Sequence, residues 1–104
     1  MSRIDAIRKI VDQQPNDPFP RYGLAMELKT LGRLDEAHVE FDELEKRHPD
    51  YVPQFLMHAT VLRGLGSKPD ARAVLERGLA AATKKRDGHA QSELQAAIDD
   101  LDGE

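Results

Sequence analysis

The stretch Leu31-Gly32-Arg33-Leu34-Asp35-Glu36-Ala37 returns 34 positions later as Leu65-Gly66-Ser67-Lys68-Pro69-Asp70-Ala71, and no other feature restricts the fold of this chain as much. At the same offset Pro15 falls on Pro49, Ala25 on Ala59 and Leu28 on Leu62. Small, apolar and chain-breaking residues that coincide in this way mark an internal repeat, and a period of this length holds one helix-turn-helix unit. Such a unit cannot bury its apolar face alone, so it stacks on its neighbours and exposes a broad surface suited to binding.

A chain of 104 residues is one domain's worth. Aromatics make up only 5% and tryptophan is absent, so the core must be built from Leu, Ile, Val and Ala, which favours an all-α class. There is no cysteine, hence no disulfide and no thiolate ligand or nucleophile, and cytoplasm is the expected compartment. No apolar run approaches the roughly 18 residues of a membrane span, and the charged start of the chain lacks a signal-peptide core. The net charge of -4 argues against a nucleic-acid partner, which needs concentrated positive charge.

Six helices are predicted. The first runs from about Ser2 to Gln13, capped by Ser2 with Asp5 three residues on, and carries Ile4, Ile7, Ile10 and Val11 at helical spacing. Asp17-Pro18 opens the second, with Leu24, Ala25, Leu28 and Leu31 on one face, and Gly32 ends it. The third, about Leu34 to Arg47, holds Leu34, Ala37, Phe41 and Leu44 and stops before Pro49. Asp50 and Pro53 begin a fourth, with Phe55, Ala59 and Leu62, that ends near Gly66. Ser67 and Pro69 begin a fifth, with Ala71, Val74, Leu75 and Leu79, that runs to Lys84-Lys85-Arg86 before Asp87-Gly88 breaks it. A sixth, about His89 to Leu101, buries Ala90, Leu94, Ala97, Ile98 and Leu101 and reads as a terminal cap. Short connections make successive helices antiparallel neighbours.

These residues resemble the tetratricopeptide repeat (TPR) family, whose unit has this length and a matching order of small and large residues. The match is carried by Leu24, Ala25, Leu28, Gly32, Ala37, Phe41 and Pro49 in the first unit, and by Phe55, Ala59, Leu62, Gly66, Ala71 and Leu75 in the second. Arg21 departs from it where a large aromatic is usual, His58 where leucine is, Gly78 near a usual alanine, and Thr83 in place of a closing proline. The resemblance implies a short right-handed superhelix of about six antiparallel helices. It divides the single domain into an N-terminal helix (2–14), two full repeats (18–51 and 52–86) and a capping helix (88–101).

The resemblance also implies that the first helix of each unit lines a concave groove holding a peptide segment of another protein. The residues facing that groove would be Phe19, Tyr22, Met26 and Lys29 in the first unit and Leu56, Met57, Thr60 and Arg63 in the second, with Gln91 and Ile98 completing the wall. Against this stands burial of Tyr22, Met26, Leu56 and Met57 under the sixth helix. Lys29 and Arg63 suggest acidic flanks on the peptide, and the lysine-asparagine clamp that some family members use for a C-terminal carboxylate is absent.

Charge is segregated: residues 34–50 carry -5, residues 63–86 carry +5, and residues 87–104 carry -6. Either the third and sixth helices flank and pair with the fifth, or the outer faces form an electrostatic surface for self-association, which gives the alternative function of a self-assembling unit. A monomer is preferred to a homo-oligomer. For catalysis the sequence offers no glycine-rich phosphate loop and no nucleophile setting. His38, His48, His58 and His89 show no metal-binding spacing, and His58 reads as a satisfied core histidine. The expectation is therefore a non-catalytic adaptor or chaperone-like protein with no cofactor and no metal.

Overall fold

A computed structural model describes residues 2–104. The chain is all-α, with helices α1 (Arg3–Gln13), α2 (Pro18–Thr30), α3 (Leu34–Arg47), α4 (Pro53–Gly64), α5 (Lys68–Lys84) and α6 (Gly88–Asp102), and no strand among the described residues. Each packs chiefly on its neighbours in sequence, and α2 also touches α4. The result is a short right-handed superhelix measuring 43 × 29 × 19 Å, the least dimension matching two helix diameters of about 10 Å.

Local sequence sets the boundaries. Ser2 accepts from the Asp5 amide while the Asp5 carboxylate accepts from the Ser2 amide, so α1 starts with a capping box. Asp17 caps α2 through the Phe19 amide, with Pro18 at the first helical position. The turn after α2 is closed by the Arg33 amide on the Leu28 carbonyl, and its echo after α4 by the Ser67 amide on the Leu62 carbonyl. Gly32 (φ 75°) and Gly66 (φ 80°) supply the left-handed residue this closure requires.

The third such turn corrects the sequence reading. The Asp87 amide reaches the Ala82 carbonyl in the same way, but the left-handed residue is Arg86 (φ 58°), and Gly88 begins α6. Asp87 caps that helix through the Ala90 amide, which fixes the turn two residues earlier than the glycine suggests. Thr83, in place of proline, lets α5 continue for 17 residues, its hydroxyl donating to the Leu79 carbonyl.

Two clusters of buried side chains form the core. Ile4, Val11, Leu24, Ala25, Leu28, Ala37, Phe41 and Leu44 make one with Val61; Ala71, Val74, Leu75, Leu94, Ile98 and Leu101 make the other with Phe55, Ala59 and Leu62. Helix α4 therefore contributes to both. Ile10, expected on the buried stripe of α1, lies in solvent because α1 is a terminal helix covered on one side only. Val11 fills the inward position instead.

The family departures have structural reasons. Glu40, 8% exposed, accepts from Arg21 at 2.7 Å and from Arg8 at 3.1 Å, so a partly buried ion triad joins α1, α2 and α3 where an aromatic would otherwise pack. Thirty-four residues on, Phe55 and Val74 take those two places. Gly78 makes room for Phe55: a Cβ at Gly78 would lie 2.5 Å from the Phe55 Cβ.

Candidate functional site

Helices α2, α4 and α6 lie along one side of the molecule, as the α2–α4 contact and a cavity shared by α4 and α6 show. On the other side ion pairs tie α1 to α3 (Arg8–Glu40) and α3 to α5 (Arg77–Glu45, 2.7 Å). The shared cavity, about 220 Å³, opens between the N-terminal halves of α4 and α6. Val52, Pro53, Leu56, Met57, Ala90 and Leu94 give it an apolar wall, and Asp87, Glu93 and the His89 that contacts Glu93 at 3.1 Å a polar rim.

Of the eight side chains expected to face a groove, Leu56 and Met57 line this cavity. Phe19 stands 66% exposed at the same, N-terminal end of α2. Tyr22 is turned into the helix interface, edge-on to Tyr51 at 5.5 Å and to Phe41 at 6.4 Å, and burial raises its pKa. Met26 is half-buried against the first core cluster, Lys29 is half-buried, and Thr60 is exposed with its hydroxyl committed to the Leu56 carbonyl. Arg63 contacts Asp100 and Glu104 on the last turn of α6 and beyond it. That pairing closes the C-terminal end of the α4–α6 groove and leaves the N-terminal end open. Ile98 belongs to the core, not the wall, because it faces α5; Gln91 donates to the Thr83 hydroxyl at 3.0 Å.

Part of the segregated charge is paired within the chain, through Arg63, Arg72 and Arg77. Arg77 is held by both oxygens of Glu45 and Arg72 by both oxygens of Asp102, so α3 and α6 flank α5 and pair with it. Exposed pairs of this kind contribute little stability each.

One constellation was not visible in the spacing of the histidines. His38 on α3 and His58 on α4 meet with Nδ1 and Nε2 2.8 Å apart, and Asp42, one turn after His38, brings its carboxylate to 3.4 Å from His38 Nε2. His58 is 1% exposed and stacks on Phe41 at 5.2 Å. Burial pushes its pKa down to about 4, against a weaker upward pull from Asp42. It is not the satisfied core histidine expected, since its Nδ1 is buried with no hydrogen-bond partner among the described residues. An unsatisfied buried polar atom costs about 1–3 kcal/mol. The signal that finds this pair is the repeat offset: 34 residues before His38 and His58 stand Ile4 and Leu24, both in the core.

An antiparallel helical-repeat scaffold that presents an open apolar cavity defines the class of protein-interaction modules. No family model and no curated protein matches the chain. Solved structures do. A tetratricopeptide repeat domain protein from Salinibacter ruber is 31% identical; its solution structure superposes with a TM-score of 0.81 over 86% of this chain and 90% of that one. Its crystal structure gives a TM-score of 0.78 over 84% and 98%. A protein of Bordetella parapertussis shares the fold at a TM-score of 0.81 and 23% identity, over 97% of this chain and 88% of that one. The chain belongs to the tetratricopeptide repeat family. No helix among the described residues is long and apolar enough to cross a membrane.

Proposed function

We propose that the chain is a non-catalytic adaptor of two full repeats with flanking half-repeat helices, and that it holds a peptide segment of a partner protein along α2, α4 and α6. The observation that carries this reading is the open apolar cavity between α4 and α6, to which Leu56 and Met57 contribute. A flexible methionine adapts to varied side chains, and an apolar cavity with a charged rim suits an anchor residue followed by a polar flank. Phe19, Met26, Lys29 and Thr60 extend the surface along α2 and α4, with Tyr22 packed beneath it. Arg63 is occupied by Asp100 and Glu104, whereas Asp87 and Glu93 rim the cavity, Glu93 with only His89 beside it at 3.1 Å among the described residues, so the segment carries basic residues beside its apolar anchor. The alternative, self-association through charged outer faces, draws less support, because Arg72 and Arg77 are paired within the chain with Asp102 and Glu45.

Selection from a displayed random-peptide library tests this. Enriched peptides should share an apolar anchor with a basic flank, and Ala90→Glu, which fills the cavity mouth, should weaken them at least about tenfold, as should Glu93→Lys for the basic flank. No enrichment, or undiminished binding by both folded variants, refutes the assignment.

A further inference from the structure

We infer that His38, Asp42 and His58 form a binding site for a divalent transition-metal ion of the zinc type, which clamps the α3–α4 junction between the two helix pairs.

One donor atom from each of the three residues lies within 4.8 Å of the other two. Two imidazole nitrogens and a carboxylate oxygen are a donor set that zinc accepts, with bonds of about 2.0–2.2 Å. Nitrogens on a tetrahedral ion at that bond length stand about 3.3 Å apart. His38 Nδ1 and His58 Nε2 stand 2.8 Å apart and Asp42 Oδ1 lies 3.9 Å from His58 Nε2, so an ion enters once the rings part by about half an ångström and Asp42 turns from His38 Nε2 towards it. His38 and Asp42 are free to make that movement: they sit one turn apart on α3 with side chains 36% and 49% exposed. His58 is the fixed point, held against Phe41.

The surroundings favour a cation. A cavity of about 260 Å³ opens on the cluster, with Asp70 and Arg77 also in its lining, and it has room for a water as the fourth ligand. Asp42 and Asp70 are negative, and the one guanidinium there, Arg77, is neutralised by two hydrogen bonds to Glu45 at 2.7 and 3.0 Å. The cluster also explains a pair that packing alone does not. At the preceding junction the same two places hold Ile4 and Leu24, which pack with no polar atom to satisfy. Here two imidazoles stand in their place, and a metal on His58 Nε2 gives the buried ring a function; its proton then sits on Nδ1, which has no acceptor among the described residues.

The test uses the full chain and Zn²⁺ alone, measured by competition with a chromogenic chelator and by thermal unfolding. One Zn²⁺ per chain should bind in the micromolar range or tighter, and a free concentration about 100 times Kd should raise the midpoint by several degrees. The variant H38I/H58L, which copies the Ile4–Leu24 pair, should fold and lose affinity at least about 100-fold, and Asp42→Asn, at a half-exposed position, at least about tenfold. Replacing His48 and His89 by glutamine should change nothing. Absence of binding below about 1 mM overturns the inference, as does affinity that survives in Asp42→Asn or in H38I/H58L, or that is lost with His48 and His89.

Discussion

Substituting alanine for glycine inside a helix ordinarily stabilises by about 1 kcal/mol, and Gly78 should reverse that sign. The Cβ of Gly78→Ala would lie 2.5 Å from the Phe55 Cβ, 2.8 Å from its Cγ and 3.1 Å from a Leu94 methyl. Carbon atoms settle at about 3.5–4.0 Å, so Phe55 must retreat by about 1 Å. It has nowhere to go: Phe55 is 1% exposed, and the nearest clashing atom is its Cβ, which moves only with the α4 backbone. Overpacking of a rigid site costs about 1–3 kcal/mol and sometimes more, and with a backbone-coupled atom the upper end applies. Subtracting the propensity gain leaves a net loss of about 2 kcal/mol, or a midpoint lower by about 10 °C for a domain this size. Gly23→Ala is the control, because a Cβ there meets nothing within 4 Å, and it should stabilise by about 0.5–1 kcal/mol. Urea unfolding followed by circular dichroism measures both. Equal stabilisation by the two alanines would refute the close approach of α4 and α5.

Two further outcomes are expected. Glu40→Ala leaves Arg21 with no carboxylate in a largely buried place and should cost about 2–4 kcal/mol in urea unfolding, while the double variant Arg21→Met/Glu40→Leu should return to the parent's stability or exceed it. Methionine is chosen over phenylalanine because Leu44, not a glycine, stands 34 residues before Gly78; a double variant as unstable as Glu40→Ala would show that the triad is not replaceable. In metal-free buffer His58 should make stability pH-dependent in a definite window. Its folded pKa is about 4 against about 6.5 unfolded, so between those values the unfolded chain takes up a proton that the folded chain refuses. Stability should fall as the pH drops from 6.5 to 4, by at most about 3 kcal/mol, with no contribution above 6.5 and no further loss below 4. The difference between the parent and His58→Leu isolates this group, and parallel curves for the two would contradict it.

The helices were legible because their signals are local. Ser2 with Asp5, Asp17 with Pro18, and the glycines at 32 and 66 act within a few residues, and the structure uses them as expected. Arg86 escaped because a hydrogen-bonding pattern that prefers glycine does not require it; closure through the Asp87 amide on the Ala82 carbonyl holds an arginine in the left-handed region. The surface was less legible, because exposure depends on which side chains other helices claim. Arg63 is taken by the end of α6, 37 and 41 residues away, and Tyr22 by Tyr51. Helical spacing gives the face on which a residue sits, not the partner that crosses to meet it. The histidine pair lies between these cases, since the offset that reveals the fold also aligns His38 and His58 with a buried apolar pair.

The division of the core has a kinetic side. Contacts run almost wholly between helices adjacent in sequence, so each closes a short loop and assembly should be fast for a chain of this length. Among the described residues only α4 belongs to both buried clusters, through Val61 on one face and Phe55, Ala59 and Leu62 on the other. Its amides report on whether α1–α3 and α5–α6 open together or apart: they should exchange only by global unfolding, while those of α1, which buries Ile4 and Val11 alone, exchange through fraying from the end. The helix that lines the proposed binding cavity is thus also the one on which the cooperativity of the whole chain depends.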